Sequence, residues 1–299
     1  MPTHEPVMTG EVVGFLQPQG GGVFVDCTVG AGGHARALLE AGAGRLVAID
    51  RDPHALAVAR ERLDAWAGRV EFVHADYRTI AGVLDARGLA AVDGLVADLG
   101  VSSMQLEGEG RGFSFQRDEP LDMRMDPSTG PSAADLVAGA GEQELADVIF
   151  RHGEERFSRR IARAIVQSRA AAPIATTGQL ASIVRRAVPT RGWQRIDPAT
   201  RTFQAIRIWV NSELEGLDGF LETACLRLRA GARIVVITFH SLEDRVVKHT
   251  LRSIDARGEI GMQVLTKKPV RPNEDELARN PRARSAKLRA AERRMDRGM

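Results

Sequence analysis

Short apolar runs punctuate the first hundred residues and end in polar or acidic positions: 23–26 (Val-Phe-Val-Asp), 46–49, 70–74 (Val-Glu-Phe-Val-His) and 93–98. Each is short enough for a buried strand and is bounded by turn-forming residues. Between them, stretches near 34–41, 53–65 and 78–87 carry the helical pattern, and Asp52-Pro53 reads as an N-cap followed by an N1 proline. Strands alternating with helices predict βαβ units and a parallel sheet, hence an α/β fold. The rhythm then breaks. The next strongly buried strand, Ala232–Phe239, begins more than 130 residues after Asp98, whereas a crossover unit takes about 30. A loop of that size has no place in a compact domain, so the pattern predicts a folded insertion.

The insertion reads as helical. Phe157, Ile161, Ala164 and Ile165 keep a 3.6-residue period, and Arg156, Arg160 and Arg163 line another face. Thr177 to Val188 predicts a further helix stopped by Pro189. From Thr202 the positions Phe203, Ile206, Val210, Leu214, Leu217 and Leu221 lead back toward the fifth strand. The expected organisation is a sheet domain from 1–103 and 201–299, with an inserted all-helical domain at 104–200.

Composition narrows the picture. No apolar run among the 299 residues approaches the roughly 18 that span a bilayer. Met1–Glu5 lacks the basic start and apolar stretch of a leader. Cys27 and Cys225 read as free buried thiols of a reducing cytoplasm. Neither they nor the seven histidines show metal-ligand spacing, so no metal is expected. The net charge of +2 hides an asymmetry: 267–299 carries +6, leaving −4 on the rest. A basic end on a mildly acidic body suits a polyanionic partner, and equally a solvated tail.

Candidate chemistry collects where open parallel sheets bind ligands, beyond the carboxyl ends of the strands. That rim holds Asp26, a glycine turn (Gly30, Gly32, with Ala35 completing G-x-G-x-x-A), Asp50, Asp76-Tyr77, Asp98-Leu99-Gly100 and Phe239-His240-Ser241. A glycine turn opening a helix, with an acid eighteen positions past Gly32, is the pattern of an adenosine-bearing ligand. Both a nicotinamide dinucleotide and S-adenosylmethionine (SAM) fit. Asp26 beside the turn would repel a pyrophosphate and suits an ammonium; Asp76 can accept from an adenine amine, and Tyr77 can stack on its ring. His240, Ser241 and Asp244 stand too close along one turn for a hydrolase triad. They predict Ser241 as a helix cap with Asp244 at N3.

Ten motifs then carry a resemblance. They are Val25-Asp-Cys-Thr-Val-Gly-Ala-Gly-Gly-His34, Ala48-Ile-Asp-Arg-Asp-Pro53, Asp98-Leu-Gly-Val-Ser-Ser103, Arg111-Gly-Phe-Ser-Phe115 and Pro120-Leu-Asp-Met-Arg-Met-Asp-Pro127, followed by Gly153-Glu-Glu-Arg-Phe157, Pro198-Ala-Thr-Arg-Thr-Phe-Gln-Ala205, Val210-Asn-Ser-Glu-Leu-Glu215, Phe239-His-Ser-Leu-Glu-Asp-Arg245 and Asn280-Pro-Arg-Ala-Arg-Ser285. In this order, from His4-Glu-Pro-Val7 almost to the end, they closely resemble the ribosomal small-subunit RNA cytosine-N4 methyltransferase family, also called RsmH or MraW. The resemblance implies a Rossmann-like SAM-dependent methyltransferase domain with a small helical insert. It implies SAM as donor and N4 of a decoding-site cytidine in 16S rRNA, free or in the assembled small subunit, as acceptor. Cofactor contacts carried over are Gly32, Gly33, His34, Asp50, Tyr77, Asp98 and Gln105. Tyr77 stands where relatives often have Phe, and Asp197 where many have His.

The Asp98-Leu99-Gly100 corner is expected to grip the target amine, with Asp98 and Gly100 as the catalytic positions. Phe113, Phe115 and Phe239 are candidates to stack on the base. Arg156, Arg160, Arg163, Arg282, Arg284 and Lys287 are expected to hold RNA phosphates. Two other readings remain at this stage: a NAD-dependent oxidoreductase, and a non-catalytic RNA-binding assembly factor.

Overall fold

The computed structural model describes residues 6–189 and 196–294. Met1–Glu5, Asp296 and Arg297, used above, lie outside the described residues. The chain forms two compact units, one from 1–100 with 214–299 and one from 101–213.

The first unit begins with α1 (Thr9–Leu16), β1 (Val23–Asp26), α2 (Gly33–Glu40), β2 (Arg45–Asp50), α3 (Pro53–Arg62), β3 (Val70–His74), α4 (Ile80–Asp85) and β4 (Val92–Asp98). The second holds α5 (Ser103–Glu107), α6 (Ala133–Gly139), α7 (Glu142–Gly153), α8 (Ser158–Ala171), α9 (Thr177–Ala187) and α10 (Ala199–Asn211). The first then resumes with α11 (Leu217–Leu226), β5 (Leu228–Thr238), α12 (Ser241–Arg257), β6 (Met262–Val264), α13 (Glu274–Arg279) and β7 (Lys287–Arg293).

The seven strands form one sheet in the order β3-β2-β1-β4-β5-β7-β6. β1 to β5 pair in parallel, and β7 lies antiparallel between β5 and β6. Parallel strands covered by helices on both faces read as continuous apolar runs, and alternate residues serve the two faces here. Val25, Val47, Ile49, Leu95, Ile234 and Val236 pack with α4, α11 and α12 through Leu84, Phe220, Leu221 and Leu251. Phe24, Leu46, Val96 and Val235 pack with α1, α2 and α3 through Leu16, Leu38 and Leu56. Asp52 caps α3 by accepting from His54 N–H at 3.0 Å, with Pro53 next.

The basic C-terminal end is not simply a tail. Its residues 287–293 form β7, whose Leu288, Ala290 and Ala291 are fully buried. Charges enter that strand with partners: Arg289 pairs with Asp244 at 2.7 Å, and Glu292 with Arg233 at 2.6 Å.

The helical unit is built on α7, packed against α8 and α10 around Leu145, Ile149, Ile161, Ile165, Leu180, Val184, Phe203 and Ile206. Buried Asn211 at the end of α10 accepts from Met125 N–H and donates to the Met123 carbonyl, both at 2.8 Å. α10 therefore belongs with the inserted helices, and the units divide at 100/101 and 213/214 rather than at 103/104 and 200/201. The amphipathic run from Thr202 to Leu221 is also two helices. Ser212 and Gly216 take left-handed backbone (φ 48° and 68°) and separate α10 from α11. Among the described residues no helix is long and apolar enough to cross a membrane.

Candidate active site

From β1 the chain builds outward through β2 to β3, then crosses back to place β4 on the other side of β1. Such a switch point opens a crevice beyond the carboxyl ends of the two central strands. Asp26 and Asp98 are the last residues of those strands. Main-chain bonds extend the rim past the sheet, with Cys27 N–H on the Val96 carbonyl and Leu99 N–H on that of Ile237, both at 2.9 Å. Asp98 N–H donates to Thr28 Oγ1 at 2.7 Å, which stitches the two strand ends together.

The turn after β1 needs glycine: Gly30 and Gly32 have φ of 52° and 82°, a region L side chains rarely adopt. Asp50, at the end of β2, holds the turn in place. Its Oδ2 accepts from Gly30 N–H at 2.8 Å, and its Oδ1 from Asp52 N–H at 2.9 Å. A side chain at Gly30 would meet open space, its Cβ no closer than 3.9 Å to the Thr28 carbonyl. The backbone there is uncrowded and lies next to the first N–H groups of α2, which lack intrahelical acceptors.

Three acids in this rim are poorly solvated. Asp26 is 0% exposed; its Oδ1 accepts from Thr28 N–H at 3.2 Å, and its Oδ2 has no hydrogen-bond partner among the described residues. Burial pushes its pKa up to about 7, against the opposing pull of His34. Asp98 has a buried Oδ1 without a partner among the described residues, and burial followed by repulsion from Glu243 pushes its pKa up to about 8. Asp50 is raised by burial to about 6, its two backbone bonds working against the shift. His34 Nδ1 stands 3.8 Å from Asp98 Oδ2. Gly100 ends the same corner, and a Cβ there would lie 3.6 Å from the Phe239 ring and 3.9 Å from Glu243 Oε1.

The remaining expected residues fall in three places. Tyr77 sits on a 3-10 turn after β3, its ring edge-on to Phe220 with centroids 4.7 Å apart. Asp76, its neighbour, is taken up locally. Burial opposes its ionisation, yet Arg78, bonded at 2.8 and 2.5 Å, holds its pKa below the usual range. Gln105 belongs to the helical unit, where it closes a capping box with Ser102. Phe113 and Phe115 pack with that unit's core, and Phe239 packs against the sheet unit's core with its ring beside Gly100.

Arg156, Arg160 and Arg163 are exposed in the helical unit. Arg156 lies over the Phe157 ring at 4.7 Å, and Arg163 meets Glu142 at 3.4 Å. Arg282 and Arg284 are exposed on a 3-10 turn of the sheet unit. Lys287 is different: it starts β7 opposite Thr238 and pairs with Asp244 at 3.3 Å, so a partner within the protein already answers its charge. Asp197 pairs with Arg185 at 2.9 Å.

The cap of α12 is His240, not Ser241. Its imidazole accepts from Glu243 N–H at 3.4 Å, while Glu243 accepts from Phe239 N–H at 3.1 Å. Asp244 turns instead to Arg289 and Lys287. Glu243 was missed by the sequence reading. Its signal was an acid three positions after the residue that caps the helix.

Residues 1–294 match the MraW methylase family. The chain belongs to that family. The ribosomal RNA small subunit methyltransferase H of Bradyrhizobium diazoefficiens is 51% identical, over 97% of this chain and 91% of that protein. The protein of the same name from Geotalea uraniireducens is 49% identical over 97% and 98%, and that from Cyanothece sp. 51% over 97% and 94%. Solved structures similar to this chain include an rRNA methylase from Streptococcus thermophilus (12% identity, 96% of this chain and 92% of that one, TM-score 0.42). Another is a SAM-dependent O-methyltransferase from Thermotoga maritima (11% identity, 100% and 70%, TM-score 0.45).

This methylase is an α/β, Rossmann-like SAM-dependent methyltransferase, which removes the oxidoreductase reading. The residues fit SAM. The Oδ2 of Asp26, partnerless among the described residues, suits an ammonium, the uncrowded backbone at Gly30 suits a ligand's close approach, and Asp50 keeps lone pairs for a ribose diol. When bound, SAM supplies a methyl carbon made electrophilic by its sulfonium.

The raised acids give a pH signature. A carboxyl whose folded pKa lies above its unfolded value contributes stability that is complete below about pH 4 and is lost as pH climbs through the folded value. For Asp50, Asp26 and Asp98 those values are about 6, 7 and 8. Asp76, Asp122 and Asp244 are lowered and titrate below that window. The melting temperature of the methylase without SAM should therefore fall from about pH 4 to about pH 8, most steeply below about pH 6, as followed by calorimetry. Asp26→Asn should flatten part of the slope and melt at or above wild type at pH 8.5, while binding SAM at least tenfold more weakly.

Proposed function

We propose that this methylase transfers the methyl group of SAM to the exocyclic N4 of a cytidine in the decoding site of 16S rRNA, in the cytoplasm, with free rRNA or the small subunit as substrate. The observation that carries the reading is the Asp98–Gly100 corner: a strand-end acid with a buried, partnerless oxygen, beside an aromatic ring and at the fold's switch point. The names of its half-identical relatives support rRNA of the small subunit as the substrate.

The amine of cytosine is a weak nucleophile because its lone pair is delocalised into the ring. An acceptor on its N–H groups localises that pair and takes the surplus proton. The buried Oδ1 of Asp98, without a hydrogen-bond partner among the described residues and on a carboxyl whose pKa is pushed up to about 8, is suited to do both once a substrate amine reaches it. Orientation does the rest, since fixing two reactants in line supplies about 7–11 kcal/mol of the barrier. Phe239 offers a ring for the extruded base, which must leave its stack to reach a recessed donor. Arg156, Arg160 and Arg163 on the helical unit, with Arg282 and Arg284, serve the flanking phosphates.

Labelled methyl transfer to small subunits and to naked rRNA, followed by nucleoside mapping, tests the acceptor. N4-methylcytidine is expected, and label on a ring carbon or a ribose oxygen would refute the reading. Asp98→Asn should slow transfer on the order of a hundredfold or more, and a wild-type rate would remove Asp98 from the chemistry. Reversing Arg160 and Arg163 to Glu should weaken RNA binding, leave SAM binding intact and flatten the salt dependence.

A further inference from the structure

His34 is a buried titratable side chain to which the reading above gives no chemical task. It lies in the first turn of α2, 5% exposed, with Nε2 2.8 Å from the Val7 main-chain oxygen. A carbonyl oxygen only accepts, so Nε2 carries the proton and, in the neutral ring, Nδ1 keeps a bare lone pair. That lone-pair nitrogen is 3.8 Å from Asp98 Oδ2.

The ring is held in this pose from the far end of the chain. Met8 N–H donates to buried Glu276 on α13 at 2.7 Å, which fixes the peptide unit that carries the Val7 carbonyl. Pro6 closes over the turn, where a Cβ on Gly33 would come within 2.7 Å of it. A histidine needed only to tie down the N-terminal segment has no reason to aim its second nitrogen at an acid.

We propose that His34 accepts, at Nδ1, the proton that Asp98 removes from the target amine, an inference that rests on Asp98 being that acceptor. Methyl transfer leaves N4 with one proton too many. An N4–H bond breaks as an O–H bond forms on Asp98 Oδ1. Rotation of the carboxyl about its Cβ–Cγ bond turns that O–H toward the place of Oδ2, 3.8 Å from Nδ1, and it breaks as Nδ1–H forms, restoring the Asp98 carboxylate and leaving an imidazolium. The carboxylates of Asp26 and Asp98 face the new charge and stabilise it. The proton passes to water when the products leave. Catalytic hydrogen bonds are often long before substrate binds, and a contraction of under about 1 Å brings the pair into bonding range.

His34→Gln separates this role from a structural one, because the glutamine amide can still donate to Val7 and has no base to offer Asp98. It should bind RNA with unchanged affinity and, at saturating SAM, lose kcat on the order of tenfold or more. In the double variant with Asp98→Asn, the loss should be no greater than for Asp98→Asn alone, since the two residues act in one path. A kcat for His34→Gln within twofold of wild type, or multiplicative losses in the double variant, would overturn the relay. Asp98→Asn at full rate would instead overturn the reading of Asp98, so the two failures are distinct. If His34→Gln does not fold, nitrogen NMR of wild-type histidines still decides: protonated Nε2 with bare Nδ1 is required, and the opposite tautomer contradicts the relay.

Discussion

Burying a carboxylate oxygen with nothing to bond it is expensive, and this fold does so at two neighbouring strand ends. Asp26 Oδ2 and Asp98 Oδ1 are both enclosed and partnerless. Without a ligand the site tolerates them by raising their pKa values toward and above neutrality, so that a proton stands in for the missing partner. On the function proposed above, a cationic donor would replace the proton, and the cost of burial would become affinity and selectivity. The same arrangement disfavours a pyrophosphate, which separates this glycine turn from the dinucleotide sites it resembles in spacing.

The scaffold exists to hold those acids in register. Parallel pairing sets Val25 opposite Val47 and Leu95, so Asp26, Asp50 and Asp98 close their strands on one rim. Asp50 locks the turn through Gly30, and Thr28 links the turn to Asp98. Glu276, 268 residues after Met8, secures the segment that orients His34. Rigid elements carry the reacting groups, while the helical unit presents its arginines on its own surface.

What the sequence made legible follows from physics that is local. Buried parallel strands advertise themselves as unbroken apolar runs, so β1 to β5 were readable to within a few residues. β7 was not: Lys287, Arg289, Arg293 and Glu292 give it the look of a basic tail, and their partners, among them Asp244 and Arg233, are more than 40 positions upstream. The edge of the insertion was misplaced because α10 has a strong apolar face, and nothing in Phe203 or Ile206 says which core will bury it. Ser212 is an ordinary residue in a left-handed conformation, so the break between α10 and α11 carries a weak signal. At the site, the strand-end acids were visible. The engagement of Asp76 by Arg78, the cap by His240 and the Val7–His34 bond depend on side-chain direction, which spacing does not reveal.

If SAM takes the place of protons on buried acids, its binding must release them. Calorimetric titration of the methylase with SAM near pH 7, in buffers of differing ionisation enthalpy, measures that exchange directly. The apparent binding enthalpy should change with the buffer in the sense of net proton release. An enthalpy independent of buffer, or a net uptake of protons, would contradict it.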